Sequence, residues 1–125
     1  MDQMALNIDI PATILDLAGV SPPSGYQGES LLPLVENDPV APWRSHFLME
    51  HRMDHSLIPK YVGIRGQRYV YANYYEQEPP YEYLHDLETD PKELENIAAH
   101  PEYAGILQEF RTLCSDTERR LKQRD

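Results

Sequence analysis

The sequence predicts an α+β fold: a four-stranded antiparallel sheet packed against a long C-terminal helix, with a short helix ahead of both. Three observations carry this. Seven of the 9 tyrosines fall between Tyr61 and Tyr83, and Tyr favours half-buried pleated surfaces where its hydroxyl can reach water. Tyr103, Ile106, Leu107, Phe110, Leu113 and Cys114 recur at steps of three and four, the spacing of one helical face. Residues 7–20 carry both a start and a stop signal for a short helix.

In chain order, the short helix spans 10–18. Asp9 is placed to cap its free N–H groups, and Pro11 falls in the first turn, where its missing donor costs nothing. Ile10, Ile14, Leu17 and Ala18 share one face, and Gly19 supplies a left-handed stop. Ser21 to Gly25 is a loop, Gly28 to Val35 has room for one helical turn, and Asn37 to Pro42 is a connector rich in turn formers. Ser45 to Glu50 begins the strands, and a polar, irregular loop follows from His51 to Pro59. Tyr61–Arg65 and Arg68–Tyr74 flank Gly66-Gln67, which predicts a hairpin with a two-residue turn. Tyr81–Leu87 is the fourth strand. Thr89-Asp90-Pro91 is turn chemistry, with Pro91 opening a short helical turn. Pro101 starts the last helix, whose basic end (Arg119, Arg120, Lys122, Arg124) suits the helix dipole. The apolar face of helix 10–18 finds little to pack on in the loops behind it. Left exposed, Ile10, Ile14 and Leu17 predict self-association.

Composition narrows the function classes. At 125 residues the chain has the size of one domain, and 41% hydrophobic residues suffice for a core. A formal charge of −10 repels phosphate backbones and anionic lipid, so neither nucleic acid nor a membrane is an expected partner. No run approaches the roughly 18 apolar residues of a membrane span. With a single cysteine, Cys114, no intrachain disulfide forms, and its place on the apolar stripe makes it a core residue.

His51 and His55 stand four apart with Asp54 between them, but the segment does not read as a helix and offers no third ligand. A solvated loop, or one that meets an anionic ligand, fits better. Arg52 and Lys60 gather positive charge around it in an otherwise acidic protein. Asp86, Glu88, Asp90 and Glu93 lack the spacing and glycine of a calcium loop, and are expected to cap the Pro91 turn. There is no Gly-rich phosphate loop, nucleophile elbow or His-Glu-x-x-His. Residue chemistry by itself assembles no complete active site.

Four segments together resemble the C-terminal end of a sulfatase of the alkaline-phosphatase superfamily. Asn7 to Val20 is similar to that family's Asp-x-x-Pro-Thr-x-Leu-x-x-Ala-Gly helix, with Ala12 between Pro11 and Thr13. Gln27 to Leu34 resembles its Gly-x-Ser-Leu-x-Pro-Leu turn. Val62–Arg65 with Arg68–Tyr71 resembles its hairpin, with Val70 where Lys is common. Tyr83 to Ile97 is similar to its Leu-Tyr-Asp-Leu-x-x-Asp-Pro segment, with His85 replacing the usual Tyr.

The resemblance implies that residues 1–40 are the tail of an α/β catalytic domain, which would own helix 10–18, and that 42–125 are the C-terminal subdomain. It implies a missing N-terminal catalytic domain holding calcium and a formylglycine made from the Cys of a Cys-x-Pro/Ser-x-Arg motif. Cys114-Ser115-Asp116-Thr117-Glu118 does not match that motif, so no catalytic residue, metal ligand or cofactor is assigned to this chain, which is expected to be inactive alone. Sulfated sugars or aryl sulfates become the expected substrates, and a periplasmic or secreted setting follows from family habit. The loop from Glu50 to Lys60 corresponds by order to one that shapes substrate selectivity, making His51, Arg52, His55 and Lys60 the candidate substrate-binding residues. The alternative is a free-standing module that binds sulfated glycans or a partner protein.

Overall fold

The computed structural model describes residues 3–36 and 43–123, so the expected connector at 37–42 lies outside the described residues. The chain divides into two compact units, one ending at Ser45 and the other running from His46 to Gln123.

In the first unit, α1 (Asp9–Leu17) and the single turn α2 (Leu32–Val35) are the regular elements. Gly19 follows α1 with φ +67°, the left-handed stop read from the sequence. Asp9 does not cap the helix. Its fully buried carboxylate accepts hydrogen bonds from the backbone N–H of Leu6 (2.7 Å) and Glu29 (2.9 Å) and from both terminal nitrogens of Arg44. One turn on, the Thr13 hydroxyl donates to the Asp9 carbonyl (2.7 Å) and accepts from Leu31 N–H (2.9 Å). The two side chains therefore hold residues 29–31 along the helix, and Tyr26 adds a bond from its hydroxyl to Ile8 O (2.9 Å). Gly28 is required there, because a Cβ would lie 2.0 Å from that same carbonyl oxygen. Ile10, Ile14 and Leu17 are 56, 60 and 69% exposed, so the apolar face of α1 is uncovered within this unit.

The second unit is a meander. β1 (His46–His51), β2 (Tyr61–Gly66), β3 (Tyr69–Tyr74) and β4 (Tyr81–Asp86) pair antiparallel in chain order. A 3₁₀ turn at Pro101–Tyr103 leads into α3 (Ala104–Lys122). Ile64 pairs with Leu48 and Tyr71, and Tyr71 with Leu84, so all four point to one face. There they pack with Leu107, Phe110 and Cys114 of α3 and with Ile97. The hairpin turn is Gln67-Arg68, one residue later than the sequence suggests. Gly66 is the last residue of β2, and a Cβ on it would come within 3.1 Å of the Phe110 ring. Its smallness therefore serves helix packing as well as the hairpin, whose Tyr69 carbonyl would lie 3.2 Å from the same Cβ.

After β4 the chain makes no helical turn at Pro91. Residues 87–100 instead close the open edge of β4. Asn96 Oδ1 accepts from the N–H of Leu84 (3.0 Å) and of Ala98 (3.1 Å), its amide donates to Glu82 O (3.1 Å), and Ile97 N–H donates to Leu84 O (2.9 Å). One side chain and one peptide thus stand in for a fifth strand on an edge that would otherwise invite pairing.

Candidate functional site

The β1–β2 loop and the strand ends beside it gather the chemistry-bearing residues. His51 closes β1 directly opposite Tyr61, the first residue of β2. Its imidazole stacks on the Tyr61 ring (centroids 6.3 Å apart, 18° between planes) and meets the edge of His55 at 6.5 Å. His51 Nδ1 is shielded from solvent and is the sole buried side-chain nitrogen or oxygen without a partner among the described residues. His55 is exposed, and its Nδ1 accepts the Leu57 N–H at 3.2 Å, a bond that bends the loop back on itself.

Arg52 and Lys60 are turned toward carboxylates. Arg52 Nε donates to Glu50 (2.8 Å) and Nη2 to Glu118 of α3 (2.7 Å). These bonds, that to Glu118 first, hold its guanidinium firmly protonated. Lys60 Nζ lies 2.7 Å from Asp54 and 3.2 Å from Glu76. Those bonds raise the ammonium's affinity for its proton, while the Lys60 contact lowers the Asp54 carboxyl. The structure thus brings His51 and His55 together and spends the two cations on neighbouring acids. Surface pairs of this kind exchange partners at little cost, typically about 0–1 kcal/mol.

Sequence reading placed seven tyrosines in the sheet but did not find the row they form. His51 pairs with Tyr61 and Tyr74 with Tyr81, while Tyr61 and Tyr74 touch across the central pair of strands with centroids 5.4 Å apart. The Tyr74 and Tyr81 rings are 5.5 Å apart. The last rung of the sheet is therefore aromatic on every strand, on the face away from α3. Tyr83 extends it inward, 5.9 Å from Tyr74 and 4.7 Å from His85. Burial raises the phenols of Tyr74 and Tyr83, the latter to about 12, with neighbouring tyrosines adding to the effect. The available signal was the hairpin register: once Gln67-Arg68 is the turn, alternation aligns positions 61 and 74.

Several other titratable groups are structural. Cys114 is buried in the core, and desolvation pushes its thiol up to about 11, so it is no nucleophile at neutral pH. Arg68 forks onto Asp86 (2.9 and 2.7 Å) and holds that carboxyl below its ordinary range. Asp86 also accepts the Glu88 N–H, and Asp90 the Glu95 N–H, so these two acids serve the turn as expected. Arg111 clamps Glu82, which also accepts the Tyr71 hydroxyl (3.0 Å). Among the described residues, no group of three or more His, Cys, Asp or Glu is arranged to hold a metal ion.

A family model described as N-sulphoglucosamine sulphohydrolase, C-terminal, matches residues 1–120. The chain is 34% identical to an N-acetylglucosamine-6-O-sulfatase of Bacteroides thetaiotaomicron, over 98% of this chain and 22% of that protein. It is 32% identical to a Delta 4,5-hexuronate-2-O-sulfatase of the same organism, over 87% of this chain and 22% of that protein. A solved structure of a protein in complex with its substrate D-glucosamine-2-N,6-O-disulfate is 31% identical, with a TM-score of 0.81 over 94% of this chain and 24% of its own. The chain thus spans between a fifth and a quarter of the length of these relatives. These matches agree with the resemblance drawn from the four segments.

Proposed function

The chain belongs to the N-sulphoglucosamine sulphohydrolase C-terminal family, and from that premise we propose that it is the C-terminal portion of a sulfuric ester hydrolase acting on a sulfated sugar. Its role in that enzyme is to support the fold and to rim the substrate cleft with the 50–60 loop. The observation that carries this is the family match along 1–120 by a chain about a fifth as long as the sulfatases it resembles.

In such an enzyme, formylglycine supplies the nucleophile and calcium the charge that steadies the sulfate. The residues of this chain do not fit either group: its one thiol is buried in the sheet–helix core, and no described cluster offers a metal three ligands. Both groups are assigned to an upstream catalytic domain, and no bond-breaking step is assigned here. What this chain contributes is orientation. His51 and His55 offer imidazole N–H donors to an anionic substituent, and Lys60 can trade an exposed carboxylate for it. Arg52, tied to Glu50 and Glu118, anchors the loop to α3. A periplasmic or secreted setting goes with this reading.

The reading frame upstream of Met1 tests it. Expressed together with this chain, it is expected to encode Cys-x-Pro/Ser-x-Arg and to release sulfate from 4-nitrophenyl sulfate or N-acetylglucosamine 6-sulfate. In that longer protein, His55→Ala is expected to raise KM with kcat little changed, the mark of a binding contact. Sulfate release by the isolated chain, or an upstream frame without the motif, refutes the proposal.

A further inference from the structure

Resting on the sulfated-sugar reading above, we infer that the aromatic rung His51–Tyr61–Tyr74–Tyr81 is a stacking surface for a pyranose ring, with the imidazoles of His51 and His55 at its end taking the sugar's anionic substituent. Four observations support this. The rings are linked at 5.4–6.3 Å, so they form a continuous surface as long as several sugar rings. The rung is rich in tyrosine in a chain with 9 Tyr and only 2 Phe, and each tyrosine joins an apolar ring face to a hydroxyl, the pairing a sugar ring presents in return. The hydroxyls of Tyr61 and Tyr74 take part in no hydrogen bond with any described residue, and that of Tyr81 has only a 3.5 Å contact from Asn96, so phenolic oxygens remain to meet sugar hydroxyls. The unpartnered Nδ1 of His51 stands at the end of the row where the loop's cations lie.

A sugar ring has an apolar C–H face and a hydroxyl rim, so it can lie on the rings while its rim bonds the phenols. A sulfate on the same sugar then lies toward His51 and His55, within reach of Lys60 once Asp54 or Glu76 lets go.

The test is an aromatic ¹³C–¹H NMR titration of the full chain with N-acetylglucosamine 6-sulfate, with N-acetylglucosamine, and with inorganic sulfate alone. The sulfated sugar is expected to shift the Tyr61, Tyr74 and Tyr81 ring signals, the unsulfated sugar to shift the same signals more weakly, and inorganic sulfate to move only the His51 and His55 signals. Tyr74→Phe keeps the ring but loses one phenolic bond, and is expected to weaken binding about twofold. Tyr74→Leu removes the stacking face and should weaken binding about 3- to 10-fold. If Tyr74→Leu fails to fold, Tyr61→Leu gives the same reading. Equal weakening by Tyr74→Phe and Tyr74→Leu, tyrosine shifts with inorganic sulfate alone, or no shifts with either sugar overturn the inference. So does a result in which only the upstream catalytic portion shifts the rung, since that marks a protein-docking face. Sulfatase activity in the longer protein with a silent rung removes this inference alone. Sugar binding at the rung with no sulfatase activity removes the functional reading and leaves the rung.

Discussion

Asn96→Ala is the substitution whose cost the structure defines best. Asn96 accepts from Leu84 N–H at 3.0 Å and Ala98 N–H at 3.1 Å, and donates to Glu82 O at 3.1 Å. Leu84 is fully buried. Its N–H points away from β3 toward the 95–98 segment, so no strand carbonyl replaces the lost oxygen. An unsatisfied buried donor costs about 1–3 kcal/mol, and the two half-buried groups about 0.5 kcal/mol each. The expected loss is therefore about 2–4 kcal/mol, or roughly 10–30 °C in Tm for a unit of this size. Circular dichroism in urea reads the global term, with an unchanged slope. Amide hydrogen exchange reads the local one: Leu84 and Ala98 should exchange about tenfold faster than the global change alone gives, while Val70, on β3, follows the global change only. A loss below about 1 kcal/mol, or unchanged protection at Leu84, refutes the assignment of Asn96 as the stand-in strand.

Burial works to raise the Asp9 carboxyl, but the bonds from Arg44, Glu29 N–H and Leu6 N–H outweigh it and hold it below its ordinary value. A depressed carboxyl stabilises the folded state above its unfolded pKa of about 3.9 and loses that contribution as pH falls through the folded value. Emission of Trp43, whose ring lies 4.8 Å from the Arg44 guanidinium, should therefore hold steady down to about pH 4 and change below it. Arg44→Met leaves a buried carboxyl without its partner and should move that transition upward; an unmoved midpoint counts against the pair. In the sheet, Gly63→Ala would place a Cβ 2.3 Å from Tyr71 O, a backbone atom that cannot swing aside. The expected cost is about 1–3 kcal/mol or more, read as a lower urea midpoint, and a neutral result would show that the β2–β3 pair can spread.

Most of the fold was legible because its signals are local. Period-two tyrosines, the three-and-four stripe of α3, and Pro11 with Gly19 around α1 each follow from backbone geometry within one element. Cys114 was legible as core for the same reason. The helix face of Ile10, Ile14 and Leu17 was equally readable as unsupported, and it is exposed. Readings failed where a polar side chain chose a distant partner. Asp9 sits at a capping position, yet its carboxylate is taken by Arg44, 35 residues on. Gly66 has turn chemistry, yet it ends β2, where the Phe110 ring and the Tyr69 carbonyl both crowd its Cβ position.

The loop residues show the same limit. His51, Arg52, His55 and Lys60 are near in sequence, and proximity suggested one cationic cluster. Which charges stay available depends on what lies opposite: Glu118 reaches Arg52 from α3, and Glu76 reaches Lys60 from the end of β3. The sequence alone determined the elements, their order and the family they resemble, because propensity, periodicity and ordered motifs are properties of the chain itself. The tertiary structure alone decided that His51, Tyr61, Tyr74 and Tyr81 stand in one rung and that Asn96 completes the sheet. Register and long-range hydrogen bonds are settled by packing between segments, and no local pattern encodes them.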